Sequence, residues 1–231
     1  MFPKGIVASI QPSWNHGISQ SEIICAIARE CSRYAVALRI EGTYNVRMVA
    51  KAIRGIYNIP IIGIVKSKQN ALNTFITRSK EEVYALIDSG ASYVAMELTD
   101  RLPTDRIQEC VSDKIPVIAD IADLKHAMAA QEIGVQAITT ALSGYVDKVT
   151  HPFVAPDIKL VHQCVQNLDI PVIAEGRYNT QLDFIKAKEA GAYAVCIGTL
   201  IHEPKNTVNR SRLIFEGTWE ENSKNDFINL V

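Results

Sequence analysis

IPIIGIVK (residues 59–66), IPVIAD (115–120) and IPVIAEGR (170–177) share one pattern and indicate the fold of this chain. A proline that opens a short apolar run favours the first position of a strand, because it has no N–H for the ladder. An apolar run without alternation is typical of a strand buried on both faces, as in a parallel sheet. The runs end on Lys66, Asp120 and Glu175. We therefore expect these three side chains at one carboxyl-terminal edge, where α/β folds place their active sites.

The pattern recurs about every 55 residues, which is close to twice the ~30 residues of one strand-plus-helix unit. Intervening units are therefore expected. A second pattern, a glycine followed by a short apolar run, supplies them as GASYVAM (90–96), GVQAITT (134–140) and GAYAVCIG (191–198). Two upstream runs, GIVASI (5–10) and AVALR (35–39), bring the predicted strands to eight.

Helical patterns separate these strands, as in the apolar series that follows Pro156 and the segment from Asp123 to Gly134. Eight strand–helix units without a break in composition predict a single (β/α)₈ barrel over residues 1–216. A doubly wound open sheet is the alternative, but it does not by itself predict the two-unit repeat. The polar residues 217–231 are predicted to be a C-terminal appendage.

Composition restricts the classes of partner. The chain has 231 residues, 48% of them apolar, and a formal net charge of −1, which argues against binding nucleic acid or an anionic membrane. No apolar run reaches the roughly 18 residues of a membrane span. Five cysteines without a CxxC pair, and a start that lacks the pattern of a signal peptide, predict reduced thiols in the cytoplasm.

If the barrel is correct, the ends of its strands list the candidate site residues, because the carboxyl ends of all eight strands meet at one mouth. Any single polar residue after a strand is more often solvated surface, so only their joint occurrence indicates a site. The candidates are Gln11, Arg39, Lys66, Glu97, Asp120, Thr139, Thr140, Glu175 and Gly198.

The last two units also carry a pattern typical of phosphate binding. Gly176 with Arg177, and Gly198 with Thr199, follow predicted strands seven and eight, where barrels often bind phosphate through backbone N–H groups. Glycine allows the backbone to approach an anion closely. The alternative is that these glycines only form tight turns and that Arg177 is a surface charge.

No metal or nicotinamide site is predicted. The five histidines have no HxH or HExxH spacing, and carboxylates with a lysine do not make a zinc ligand set. The chain also lacks a GxGxxG motif, so a nicotinamide cofactor has no support from the sequence.

Five stretches occur in an order that is known from one family: IIGIVK (61–66), FIT (75–77), ADI (119–121), TTALSGY (139–145) and IAEGRYNT (173–180). In these stretches the chain resembles the N-acetylmannosamine-6-phosphate 2-epimerase family, and the resemblance runs from about Gly5 to Phe215. The resemblance implies reversible conversion of N-acetylmannosamine 6-phosphate to N-acetylglucosamine 6-phosphate, in amino-sugar and sialic acid breakdown. It implies neither metal nor nicotinamide, and it suggests a homodimer.

The resemblance also assigns roles to residues. It implies Lys66 and Glu175 as the catalytic pair, and it places Gln11, Arg39 and Asp120 on the sugar hydroxyls and the acetamido group. These residue types suit the chemistry, because inversion at C2 needs a base, an acid and polarisation of the C1 carbonyl. Which of the pair works on which face does not follow from the sequence.

Two positions depart from the family pattern. Glu97 stands where the family usually has Asp, and Glu203 stands where it typically has an Arg that helps hold the substrate. Glu203 reverses a charge beside the expected phosphate, so Arg177 or a later basic residue would have to compensate.

Two other functions are therefore weighed against the epimerase. One is a Schiff-base aldolase or another sugar-phosphate isomerase on the same barrel, since Lys66 at a strand end has the chemistry to attack a carbonyl. The other is a degenerate barrel that only senses a sugar phosphate. Retention of Lys66, Asp120 and Glu175 argues against a sensor, which would not need them.

Overall fold

The structure, a computed structural model, describes residues 2–12, 19–70, 73–146, 155–203 and 208. The strands are β1 (Gly5–Ile10), β2 (Ala37–Glu41), β3 (Ile61–Ile64), β4 (Lys66–Asn70), β5 (Asn73–Ile76), β6 (Tyr93–Leu98), β7 (Val117–Ile121), β8 (Ala137–Thr139), β9 (Val172–Glu175) and β10 (Ala194–Ile197). The helices are α1 (Gln20–Cys31), α2 (Thr43–Ile53), α3 (Lys80–Asp88), α4 (Asp105–Ser112), α5 (Leu124–Ile133), α6 (Ile158–Asn167), α7 (Gln181–Glu189) and α8 (Thr199–His202). The predicted boundary at residue 216 and the appendage 217–231 lie outside the described residues.

Eight of these strands close into a parallel barrel in the order β1-β10-β9-β8-β7-β6-β3-β2. The first and last barrel strands meet where β1 pairs with β10, with Gly5 opposite Ala194. Helices alternate with the strands and cover the outside of the sheet. The predicted (β/α)₈ barrel is therefore confirmed, and the open sheet is not formed. None of the helices that the structure describes is long and apolar enough to cross a membrane.

The three Ile-Pro stretches form strands as the sequence predicts, with each strand starting one residue after its proline. The proline carbonyls begin the ladders, because Pro60, Pro116 and Pro171 accept from the N–H groups of Leu38, Val94 and Ile138. A residue without an N–H thus stands where only its carbonyl is needed.

The side chains alternate between the inside of the barrel and the helix layer. An inner cluster contains no helix residue, and one layer of it takes one residue from each barrel strand: Val7, Ala37, Ile62, Ala95, Ile118, Ala137, Ile173 and Ala194. Two residues further along each strand, the inward positions are Ser9, Arg39, Ile64, Glu97, Asp120, Thr139, Glu175 and Cys196. The barrel interior is therefore apolar below and largely polar next to the carboxyl-terminal mouth.

One element was not predicted from the sequence. Between β3 and α3 the strands β4 and β5 form an antiparallel hairpin outside the barrel sheet, with Lys66 opposite Ile76 and Ser67 opposite Phe75. Lys66, expected at the end of a barrel strand, is the first residue of this hairpin.

Candidate functional site

A buried ionic network crosses the barrel interior at the mouth. Arg39 on β2 donates two hydrogen bonds to Asp120 on β7, with Nη1 3.1 Å from Oδ1 and Nη2 2.6 Å from Oδ2. Thr139 on β8 donates from Oγ1 to Asp120 Oδ1 at 2.9 Å. Arg39 Nη1 also lies 3.3 Å from Glu175 Oε2 on β9. Four predicted site residues from four strands are therefore in contact.

Glu175 is the member of this network that reaches solvent. Its side chain is 16% exposed, against 3% for Arg39 and 0% for Asp120. Burial raises the pKa of Glu175; Arg39 opposes the rise, and the carboxylate of Asp120 adds to it. A carboxyl whose proton is retained to higher pH than usual is suited to act as an acid or a base in proton transfer.

A further set of polar residues lies one step closer to solvent. Lys66 Nζ is 3.9 Å from Glu41 Oε2, and its side chain is 34% exposed. Lys66 is close enough to Glu175 that its charge lowers the pKa of that carboxyl. Gln11 donates from Nε2 to Ser9 Oγ at 2.8 Å. Gln11 and Lys66 are thus more exposed than Arg39 and Asp120, and their predicted place at the entrance of the site stays a prediction.

Among the described residues, the Thr140 hydroxyl links two neighbouring strands of the barrel. Its hydroxyl donates to the Glu175 carbonyl at 2.9 Å and accepts from the Glu175 N–H at 3.0 Å. This pair of hydrogen bonds joins the end of β8 to the end of β9 and sets the position of Glu175. Substrate contact by Thr140 stays a prediction.

Glu97 is inside the barrel but outside the Arg39 network. Its side chain is fully buried and pairs with Arg101, whose Nη2 lies 2.8 Å from Oε1. It also accepts from Thr99 Oγ1 at 2.6 Å and from the Ile76 N–H at 3.3 Å. Protein donors thus contact both carboxylate oxygens, and substrate binding by Glu97 stays a prediction.

The predicted phosphate residues occupy the loops after β9 and β10. Gly176 has φ +105° and Arg177 has φ +65°, so the chain turns sharply behind Glu175. The Arg177 guanidinium donates to the carbonyls of Ala155 and Ser143 at 3.0 and 3.1 Å. Gly198 directly precedes Thr199, the first residue of α8. Phosphate binding by these residues stays a prediction.

Four residues near the site were not singled out by the sequence analysis. Glu41 pairs with Lys66, Cys196 lies opposite Glu175 in the ladder, and Arg101 pairs with Glu97. His202 Nδ1 lies 3.5 Å from Glu203 Oε1, and burial lowers the pKa of His202. Alternation along the strands places Glu41 two residues after Arg39 and Cys196 two residues before Gly198, so this signal was present in the sequence.

Among the described residues, no group of three His, Cys, Asp or Glu side chains is arranged to hold a metal ion.

The chain is similar to known proteins over most of its length. Residues 24–212 match the family model described as "Putative N-acetylmannosamine-6-phosphate epimerase". Relatives that carry the name "Putative N-acetylmannosamine-6-phosphate 2-epimerase" include proteins of Caldanaerobacter subterraneus subsp. tengcongensis, 31% identical with 89% of each chain covered, and Glaesserella parasuis, 34% identical with 89% of this chain and 88% of the relative covered. The Clostridioides difficile relative is 33% identical over 74% of this chain and 77% of its own length.

Solved structures agree with these matches. The N-acetylmannosamine-6-phosphate 2-epimerase from Clostridium perfringens superposes with a TM-score of 0.78 at 26% identity, over 91% of this chain and 93% of that one. Thiamine phosphate pyrophosphorylase from Pyrococcus furiosus superposes with a TM-score of 0.56 at 14% identity, over 85% of each chain, which shows a shared fold and nothing more.

Proposed function

The chain belongs to the N-acetylmannosamine-6-phosphate epimerase family, and we propose that it interconverts N-acetylmannosamine 6-phosphate and N-acetylglucosamine 6-phosphate by inverting C2. This is the reaction of an N-acylglucosamine-6-phosphate 2-epimerase. Family membership over most of the chain supports the reaction, and it confirms the resemblance found in the sequence. The observation that carries the assignment to this mouth is the Glu175 carboxyl, which is mostly buried, is paired with Arg39, and has its pKa lowered by the charge of Lys66.

The reaction requires that a proton is removed from one face of C2 and that a proton is added to the opposite face. The C2–H bond is weakly acidic until the sugar ring opens and C1 becomes an aldehyde. A base then takes the C2 proton, and the electron pair of the broken C–H bond moves through C2–C1 to give an enolate oxygen. An acid next delivers a proton to the opposite face of C2, and the aldehyde re-forms. The substrate is neither oxidised nor reduced overall, so the reaction needs no oxidant or reductant.

We assign these proton transfers to Lys66 and Glu175. Both stand at the mouth, and the raised pKa of Glu175 supports its carrying a proton during turnover. Arg39 Nε is a buried donor without a hydrogen-bond partner among the described residues, which supports a contact to a substrate oxygen. Asp120 and Thr139 keep Arg39 in place, and Gln11 is available at the entrance to a sugar hydroxyl.

Phosphate binding, assembly and compartment are also part of the proposal. The loops at Gly176–Arg177 and Gly198–Thr199 are proposed to bind the 6-phosphate, in line with their position after β9 and β10. We also propose a homodimer in the cytoplasm. The five cysteines are free thiols, which supports a reducing compartment.

Incubation with N-acetylmannosamine 6-phosphate in deuterium oxide tests the reaction. The expected product is N-acetylglucosamine 6-phosphate with deuterium at C2, detected by NMR. Lys66→Met and Glu175→Gln are each expected to lower the rate by about 10²–10⁴-fold, the usual contribution of a positioned proton-transfer group. Far-UV circular dichroism of both variants checks that the barrel has formed.

Two results would contradict the proposal. An intact protein that incorporates no deuterium, under conditions where the Clostridium perfringens enzyme turns over, has a different function. Covalent labelling of Lys66 after substrate and borohydride would instead support the Schiff-base aldolase.

A further inference from the structure

We propose that Glu97 and Arg101 act as a clamp that holds the β4–β5 hairpin against the barrel and so positions Lys66. This inference rests on the proposed function, because it assumes that Lys66 acts on the substrate. It gives Glu97 a positioning role in place of the substrate contact expected from the sequence. We call Glu97 and Arg101 together the hairpin clamp.

The first half of the hairpin clamp is a buried carboxylate inside the barrel wall. Glu97 Oε2 accepts from the backbone N–H of Ile76, the last residue of the hairpin, at 3.3 Å. Its Oε1 accepts from Thr99 at 2.6 Å and from Arg101 Nε at 2.8 Å. Because the Glu97 side chain is 0% exposed, loss of these donors would leave a buried charge without compensation.

The second half of the hairpin clamp is the Arg101 guanidinium, which contacts the hairpin directly. Its Nη2 donates to the Thr74 carbonyl on β5 at 3.2 Å. Its Cζ also lies 4.6 Å from the centre of the Phe75 ring, in a cation–π contact. Arg101 therefore binds Glu97 on the barrel and two consecutive residues of β5 at once.

The held strand is directly connected to Lys66. Ile76, bound by Glu97, is the ladder partner of Lys66. The adjoining Thr77 donates its N–H to the Val65 carbonyl at 2.8 Å and accepts from the Val65 N–H on Oγ1 at 3.1 Å. Arg106 donates to the Thr77 carbonyl at 3.0 Å. A displacement of β5 would therefore be transmitted to Lys66 through its neighbour and its partner.

The hairpin needs such external support for a physical reason. An isolated two-stranded hairpin is marginally stable in water, and β4–β5 is not paired to the barrel sheet. Lys66 lies two residues after β3 and is the first residue of that hairpin, whereas the members of the Arg39 network all belong to barrel strands. A shift of about 1 Å in a reacting group can cost about 10²-fold in rate, so small movements of the hairpin are sufficient to matter.

The test compares Arg101→Met with two matched controls. Arg101→Met keeps an apolar stem but removes the charge and every donor; we expect kcat to fall about 10- to 100-fold. KM is expected to stay within about threefold, because groups acting on the reacting carbon contribute in the transition state. Arg101→Lys restores one charge without the planar fork and should recover part of kcat. Arg47→Met, on the exposed face of α2, should match the unmodified protein.

Ile24→Ala separates positioning from mere loss of stability. Ile24 is 2% exposed on α1 and makes no part of the hairpin, so its truncation should cost about 2–5 kcal/mol of unfolding free energy without changing kcat per folded molecule. Urea unfolding of each variant gives the folded fraction by which kcat is corrected.

The outcomes are distinguishable. If Arg101→Met keeps the kcat of the unmodified protein after this correction while Lys66→Met is inactive, the hairpin clamp is refuted and the proposed function stands. If Lys66→Met itself retains full activity, Lys66 is not a catalytic residue and the proposed function fails first.

Discussion

The two sides of the mouth hold their reactive groups by different means. Glu175 belongs to β9, a central strand paired on both sides, and its carboxyl contacts Arg39 in a network drawn from β2, β7 and β8. Lys66 lies two residues after β3 and opens a hairpin outside the barrel sheet. That hairpin is held by polar contacts with Glu97 and Arg101 and by the burial of Ile76 in the inner cluster of the barrel. Glu175 is therefore part of the barrel sheet, whereas Lys66 is part of an element added to it.

The two sides therefore differ in whether their contacts change the pKa of the reactive group or its position. On the Glu175 side, burial and charged neighbours change the pKa of the carboxyl. On the Lys66 side, the lysine is a third exposed and lies 3.9 Å from Glu41, and such a partly exposed ion pair contributes little free energy. Variants on the Glu175 side should therefore change the pH dependence of stability, and variants of the hairpin clamp should lower kcat with a smaller loss of stability.

The largest expected effect is on the free energy of unfolding, when an arginine is replaced by methionine in the Glu175 network and, for comparison, in the hairpin clamp. Arg39→Met leaves Asp120 buried with only Thr139 described as its donor, and it should cost about 3–5 kcal/mol of unfolding free energy. Arg101→Met should cost about 1–3 kcal/mol, because Glu97 keeps Thr99 and Ile76 as donors and water reaches the 18%-exposed arginine side chain. Urea denaturation at pH 7 measures both. Equal losses would remove the proposed distinction.

A smaller effect is expected where Thr140 joins two barrel strands. Thr140→Val removes the hydroxyl that both donates to and accepts from the backbone of Glu175, and it should cost about 1–3 kcal/mol of unfolding free energy. Thr104→Val is the control, because Thr104 is exposed and makes no side-chain capping bond, so a change within about 0.5 kcal/mol is expected. A loss at Thr140 no larger than at Thr104 would contradict this use of the hydroxyl.

The raised pKa of Glu175 predicts the sign of a pH effect. A carboxyl that binds its proton more tightly when folded stabilises the protein most at low pH, and this contribution is lost as pH rises through its folded pKa. Glu175→Gln has no such titration. The unfolding free energy of the variant minus that of the unmodified protein should therefore increase as pH rises above the ordinary range for glutamate. A flat difference across the acidic to neutral range would oppose the assigned direction.

The smallest expected effect is at Glu203. Its carboxylate stands beside His202 at the end of α8, near the loop proposed to bind phosphate. Glu203→Gln removes a repelling charge, and a partly exposed charge pair is worth about 0–1 kcal/mol, so KM for the sugar phosphate should fall by no more than about fivefold. Steady-state kinetics with kcat as internal reference measures this change. A rise in KM would show that the carboxylate helps the substrate to bind.

The barrel could be predicted from the sequence because its signals are local and repeated. Each Ile-Pro run marks a strand start by the missing N–H of proline, and Gly134 ends α5 with φ +91° as a helix-terminating glycine should. Asp123 caps the same helix through the His126 N–H at 3.0 Å. These features depend on a few neighbouring residues, and so does the alternation that turns Arg39, Asp120 and Glu175 inward.

The hairpin could not be predicted in the same way. Residues 66–70 are polar and lack the apolar alternation of a strand, so nothing local marks them as β-structure. They pair with β5, and β5 is contacted by Glu97 and Arg101, more than 20 residues further along the chain. For the same reason Glu97 could be placed at a strand end from the sequence, but its partners could not be identified.

Closure of the barrel has a consequence for the synthesis of the protein on the ribosome. Gly5 on β1 pairs with Ala194 on β10, and the intervening strands have all been made before that pairing forms. At a translation rate of about 5–20 residues per second, one edge of β1 waits roughly 10–40 s for its partner. An unpaired edge strand is a template for association with other chains. The nascent chain is therefore most exposed to aggregation, and has most need of a chaperone, in the interval before its last barrel strand emerges.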